Sequence, residues 1–231
     1  MLRSLELLYS LEALDDGGNL TRLGQRMSRF PLDPMGAKAI LCSAGALPLL
    51  SPLCTSSGVT NASLNLHVAD EGCADELLAI MSVLSTETNL FVKQSATSDG
   101  EKEDDCSSVP SRFLDKDGDQ LTMLNAFRSF QQTSPKERTA FCKAQRLNKR
   151  ALQKAETIYE QLKRVAVQQG LSVESRTLDT APVRRALTAG YFKHAARQQR
   201  DRSYITVSGN RVANLHPSSA LFNASPRWVS R

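Results

Sequence analysis

Two clusters of basic side chains are the first feature of this sequence with a chemical meaning. Residues 141–164 hold seven lysines and arginines against two glutamates, and residues 184–202 hold six against one aspartate. Because lysine and arginine bind phosphate, basic clusters that recur in one half of a chain indicate nucleic-acid binding. Solvated helix faces produce the same pattern, and the net charge of +5 permits an anionic partner without requiring one.

The sequence lacks the motifs that would carry catalysis. It contains neither GxxxxGKS/T nor GxGxxG, the glycine-rich loops that hold nucleotide phosphates. Its three histidines are not spaced as metal ligands with cysteines or carboxylates. We therefore expect no ATPase site, catalytic residue, metal or cofactor in this chain, and an autonomous enzyme has no motif to support it.

Cysteine usage and hydropathy indicate the compartment. The five cysteines include no CxxC pair, so reduced thiols in a nuclear or cytoplasmic protein are expected. Neither a signal peptide nor a membrane-length apolar run is present, so the sequence predicts a protein that is not secreted and has no membrane partner.

The N-terminal 34 residues predict a small helical unit of the winged-helix kind. Apolar residues at helical spacing predict a helix over residues 2–14, and residues 15–19 form a strong turn signal. Thr21 is placed to cap a second, short helix, which Pro31 and Pro34 end.

The middle of the chain predicts helices separated by irregular segments. Helices are expected over residues 35–46, 73–92, 119–130 and 140–167, the last being long and amphipathic with basic residues outside. Residues 47–72 have no periodicity and look like a loop or an insertion. Residues 93–112 form a polar, acidic loop.

The C-terminal part changes character after Gly170. Residues 171–182 predict a linker, and residues 183–197 predict a short helix. Tyr204–Val207 and Arg211–Leu215 flank a Ser-Gly-Asn turn, which predicts a hairpin, and Trp228-Val229 opens a further strand. The expected fold class is therefore mainly α with a small C-terminal β part.

Several segments, taken in order, resemble the helicase-associated region of DEAH-box RNA helicases. LEALDDGGNLTRLGQRMSRFPLDP resembles the end of that family's winged helix. GDQLTMLNAF and FCKAQRLNKRALQKAETIYEQL resemble its helical ratchet (HA2) domain. VRRALTAGYFKHAA and HPSSALF resemble its oligonucleotide-binding (OB) fold. Together the five segments make up about one third of the chain, and the resemblance is to the pre-mRNA-splicing type.

The resemblance implies a domain order with departures from the family pattern. It implies a partial winged helix over 1–34, a ratchet domain over 35–170 with the insertion 47–72 and the acidic loop 93–112, a linker over 171–182, and an incomplete OB-fold over 183–231. The RecA-like motor domains of the family have no counterpart here. The chain therefore resembles a fragment.

The resemblance also implies partners and contact residues. In the family these domains close over the RecA-like motor domains, which use ATP and Mg²⁺, to form a tunnel for single-stranded RNA, and they receive G-patch proteins. The RNA-binding side chains that the resemblance implies here are Arg184, Arg185, Lys193, His194, Arg197, His216, Ser218, Ser219, Arg146, Lys149 and Arg150. Base stacking on Tyr191 is a further possibility. For His216–Ser219, a turn held by local serine hydrogen bonds is the competing interpretation.

Two functional hypotheses follow. The first is an accessory RNA-binding and motor-regulating region of an ATP-dependent DEAH-box RNA helicase, acting in pre-mRNA splicing or ribosome assembly in the nucleus, nucleolus or cytoplasm. The second is a non-catalytic adaptor, in which the winged helix and the hairpin Tyr204–Leu215 hold a G-patch-type partner.

Overall fold

The computed structural model describes residues 2–45, 72–92, 109–175 and 179–230. The helices are α1 Leu2–Ser10, α2 Arg22–Met27, α3 Pro34–Ser43, α4 Ala74–Leu84, α5 Asp119–Gln132, α6 Arg138–Ala144, α7 Lys149–Gln168 and α8 Ala181–Tyr191. The strands are β1 Ala195–Gln198, β2 Tyr204–Thr206, β3 Val212–Ala213 and β4 Trp228–Ser230. The predicted fold class, mainly α with a small C-terminal β part, is confirmed.

The chain divides into two compact units. The first comprises Met1–Leu78 and Gln161–Phe192, and the second comprises Ala79–Glu160 and Lys193–Arg231. The domain boundaries inferred from the sequence stay a prediction. Of the expected insertion 47–72 and acidic loop 93–112, residues 47–71 and 93–108 lie outside the described part of the chain.

The N-terminal turn of the first unit forms where the sequence predicts it, over residues 15–19. The carboxylate Oδ1 of Asp15 accepts from the backbone N–H groups of Gly17 at 2.9 Å and Asn19 at 2.8 Å. Thr21 caps α2 as predicted, since its Oγ1 accepts from Gly24 N at 2.9 Å. The first helix ends at Ser10 and not at residue 14, because Leu14 leaves it to form a β-bridge with Leu20 across the turn.

Helices α3 and α8 pack closely against each other in the first unit. A Cβ atom at Gly190 would lie 2.4 Å from the carbonyl oxygen of Met35 and 2.8 Å from Ala39 Cβ. Only a glycine allows the two helices to approach this closely. Lys38, on the same helix as Ala39, is buried, and its Nζ donates to Leu11 O at 3.1 Å. The buried ammonium thus has a hydrogen-bond acceptor from the end of α1.

The second unit contains a helical core whose rings and ion pair hold α5, α6 and α7 together. Phe127 of α5 packs against Tyr159 of α7 with ring centroids 5.8 Å apart. Arg138 of α6 makes a two-point ion pair with Glu156 of α7, at 2.8 and 2.9 Å, and its guanidinium lies 4.4 Å from the ring centroid of Phe130. The planar guanidinium suits both contacts.

The single long helix predicted over residues 140–167 is wrong, and so is the helix extending to residue 92. Helix α6 ends at Ala144, α7 begins at Lys149, and α4 ends at Leu84. The cause is shared: Asn148 N donates to Leu90 O at 2.8 Å, and Val92 N donates to Arg146 O at 2.9 Å. Both segments leave their helices because their backbones bond to each other. The amphipathic character of α7 is confirmed, with Leu152 and Ala155 buried and Arg150 exposed.

The C-terminal sheet is antiparallel with the strand order β3-β2-β1-β4. The predicted hairpin is confirmed as β2 and β3. The helix predicted over residues 183–197 is wrong at its end, because α8 stops at Tyr191 and residues 192–194 form one tight helical turn. Residues 195–198 are instead the inner strand β1, which bonds to β2 on one side and to β4 on the other.

We predict that Gly190→Ala destabilises the first unit by about 1–3 kcal/mol, because the added methyl group overpacks the crossing of α3 and α8. Urea unfolding followed by circular dichroism measures the change. Thr188→Ala, on an exposed position of α8, is the matched control. Equal unfolding midpoints for the two variants would contradict the close approach.

Candidate nucleic-acid interface

Arg184 and Arg185 lie in the first turns of α8, in the first unit. The helix begins where Asp179 Oδ1 accepts from Ala181 N at 2.9 Å, and Pro182 occupies its start. Proline there is compatible with the helix because its missing N–H would have no helical acceptor. Both arginine side chains are exposed, so they are accessible to an anion near the positive end of the helix.

The other nine predicted contact residues belong to the second unit. Lys193 and His194 lie in the tight turn after α8, and Arg197 lies on β1. These three side chains do not lie on one helical face, because the segment is a turn followed by a strand. Arg197 is exposed, and its guanidinium carbon is 6.0 Å from the ring centroid of Trp228 on β4.

The segment His216–Ser219 is held by its own side chains and by α5. His216 Nδ1 and Ser218 Oγ lie 2.7 Å apart, and Ser218 N donates to His216 Nδ1 at 3.2 Å. Ser219 Oγ donates to Asp119 Oδ2 at 2.8 Å, and Ala220 N donates to Asp119 Oδ1 at 2.7 Å. This is the serine-bonded turn of the competing interpretation, and phosphate contact by these residues stays a prediction. The Ser219 hydroxyl already has a carboxylate partner.

Arg146, Lys149 and Arg150 lie at the junction of α6 and α7, not along one helix. Arg146 adopts a left-handed backbone conformation with φ of 52°. The ammonium of Lys149 donates to Thr139 Oγ1 at 2.6 Å, and Arg150 is exposed in the first turn of α7. The junction therefore presents two exposed guanidinium groups beside an ammonium that contacts α6.

Tyr191, considered for base stacking, is half-buried at the end of α8. Its hydroxyl donates to Asp33 Oδ1 over 3.4 Å, and burial, followed by the charge of Asp33, raises the pKa of the phenol well above its usual range. The phenol is therefore neutral at physiological pH. Stacking on this ring stays a prediction.

Trp228 lies in the predicted C-terminal strand but is not among the contact residues predicted from the sequence. The indole is about half exposed, and it lies beside Arg197. The signal that the sequence contained was the pairing of the only tryptophan with the neighbouring Arg227.

Metal and thiol chemistry receive no support from the described ranges. Within them, no three histidine, cysteine, aspartate or glutamate side chains come together as a metal site. The thiol of Cys42 is buried, and desolvation raises its pKa to about 12, so it stays protonated at neutral pH. Among the described helices, none has the length and hydropathy needed to span a membrane.

We predict that Ser219→Ala lowers the free energy of unfolding by about 1–2 kcal/mol, because it removes a hydrogen bond to the Asp119 carboxylate. Ser218→Ala, which removes an exposed hydroxyl that lies beside the His216 ring, should change stability by less than about 0.5 kcal/mol. Thermal unfolding of both variants is the measurement. Equal losses would mean that the contact with α5 does not hold the segment.

Comparison with known protein families yields two matches. Residues 4–32 match the winged-helix part of the helicase associated domain (HA2), and residues 183–230 match the oligonucleotide/oligosaccharide-binding (OB)-fold family. The first match covers most of α1, the turn and α2, and the second covers most of α8 and the whole sheet. Taken with the order of the two domains, these matches show that the chain carries the winged helix and the OB-fold of the C-terminal region of DEAH-box helicases.

Proposed function

We propose that this chain is the accessory RNA-binding and motor-regulating region of an ATP-dependent DEAH-box RNA helicase. The observation that carries the proposal is the charge of the OB-fold match: residues 183–230 contain seven arginines, one lysine and one aspartate, with no glutamate. A basic surface of this kind binds the phosphates of a nucleic acid without reading its sequence. Single-stranded RNA is the expected ligand.

The remaining parts of the proposal concern the motor. ATP and Mg²⁺ belong to the RecA-like motor domains of the parent helicase, and this chain supplies no catalytic residue. Its role is to bind the RNA and to set how readily the motor holds and releases it. Pre-mRNA splicing or ribosome assembly is the proposed process, and the nucleus, nucleolus or cytoplasm the proposed location.

The first experiment tests the basic side chains of α8. We expect Arg184→Glu/Arg185→Glu to weaken binding of a fluorescein-labelled single-stranded RNA. Each lost phosphate contact should also lower the slope of log affinity against log salt by about 1. Fluorescence anisotropy at several salt concentrations measures both quantities.

The matched control is Arg22→Glu/Arg29→Glu, which makes the same charge change at exposed positions of the same unit. Equal losses in the two double variants would mean that only overall charge matters. Absence of RNA binding by the folded wild-type protein at low salt would overturn the RNA-binding proposal.

Exposed apolar side chains favour a second candidate function, that of an adaptor for a G-patch-type protein. Leu2, Leu5 and Tyr9 are spaced along α1 and are exposed, as is Val207 at the end of the hairpin strand β2. A contiguous exposed apolar surface, such as the one that Leu2, Leu5 and Tyr9 form along α1, is typical of protein contact sites. In this reading the RNA contacts are incidental.

The mass of the native protein distinguishes the two functions. An antibody against residues 140–167 should detect a band several times larger than 25.4 kDa if the chain acts as part of an intact helicase. A band near 25 kDa would contradict the accessory role and favour the adaptor function.

A further inference from the structure

One row of side chains crosses all four strands on a single face of the C-terminal sheet. The register pairs Val212 with Ile205, Ile205 with Arg197, and Arg197 with Trp228. Residues directly opposite each other in antiparallel strands place their side chains on the same face. The four side chains therefore form a continuous row, which we call the outer row.

The two faces of the sheet differ in exposure. On the opposite face, Ala196 is 4% exposed and Tyr204 is 2% exposed, and Tyr204 Oη donates to Pro226 O at 2.7 Å. In the outer row, Trp228 is 52% exposed and Val212 is 70% exposed. An antiparallel sheet with one buried face usually carries polar side chains on the other. Here the solvent-facing side carries an indole and two aliphatic side chains around a single arginine.

The chemistry of the outer row suits an unpaired nucleotide. The Arg197 guanidinium carbon is 6.0 Å from the centroid of the Trp228 ring, within cation–π distance. An aromatic face beside a fixed cation offers a stacking surface for a base and a charge for the adjoining phosphate. Ile205 and Val212 extend the apolar surface away from the indole.

The charge around the sheet selects the kind of ligand. The arginines at 197, 200, 202, 211 and 227 are opposed only by Asp201 in residues 195–230. This excess favours a polyanion over a neutral or basic peptide. Bases in a duplex have their faces stacked on each other, so only a single strand can present one to Trp228.

We propose that the outer row is a binding site for single-stranded RNA, in which one base stacks on Trp228 and the adjoining phosphate pairs with Arg197. The inference rests on the RNA-binding function proposed above and assigns it a site. Ile205 and Val212 contact the next base or its ribose. The site reads no sequence, because every base has a face that can stack.

The experiment uses Trp228 as its own reporter, since it is the only tryptophan in the chain. The intact protein is titrated with a twelve-nucleotide oligouridylate at low salt, while tryptophan fluorescence and the anisotropy of a labelled copy of the RNA are followed. Stacking should quench the indole in step with binding. An abasic oligonucleotide of equal length and charge should bind without comparable quenching.

Variants separate stacking from charge. Trp228→Ala should weaken RNA binding about tenfold, within the range for loss of one base stack, and Trp228→Phe should retain most of the affinity. Arg197→Gln should lower the salt dependence. Phe222→Ala is the matched control, because Phe222 is an aromatic residue of the same unit that is 38% exposed outside the outer row. Circular dichroism establishes that each variant is folded.

The outcomes distinguish this site from the function on which it rests. RNA binding without quenching, with Trp228→Ala binding as tightly as the wild type, would overturn the site and leave the proposed function standing. No RNA binding by the folded protein would overturn both. Protection of Trp228 from acrylamide quenching by a synthetic G-patch peptide, but not by the RNA, would assign the outer row to protein binding instead.

Discussion

The pairing of β1 on both of its edges is the constraint on which the C-terminal sheet depends. Residues 195–198 bond to β2 through one edge and to β4 through the other, so removing this strand would separate the sheet into a hairpin and an isolated segment. Ala-Ala-Arg-Gln favours a helix locally, and the backbone bonds of the sheet override that preference. The same pairing places Arg197 between Ile205 and Trp228. The architecture of the sheet and the chemistry of its exposed face therefore have one cause.

Local signals predicted the elements that local interactions stabilise. The Asp15–Asn19 turn, the Thr21 cap and the helices α3 and α5 follow from residues adjacent in sequence, and the structure contains all of them. The hairpin of β2 and β3 was equally readable, since it depends on a short turn between two β-forming segments.

Long-range backbone pairing produced the misses. No residue near Arg146 indicates that the backbone of residues 146–148 bonds to Leu90 and Val92. The spacing of apolar residues before and after Arg146 continues the helical period. The contact of Ser219 with Asp119 joins residues 100 positions apart. Neighbouring residues therefore predict the turn but not the hydrogen bond that holds it to α5. The basic residues were identifiable from composition. Their positions on a helix junction, a turn and a strand could not be predicted, because those positions depend on the same distant contacts.

The division of the first unit has a consequence for synthesis on the ribosome. Ala39 and Gly190, which meet where α3 packs on α8, are separated by 151 positions, and the unit is completed by residues up to Phe192. At ribosomal rates of roughly 5–20 residues per second, about 8–30 s pass between the synthesis of α3 and the synthesis of its partner helix α8. During that interval the nascent chain exposes Ile40 and Leu41, both fully buried in the finished fold.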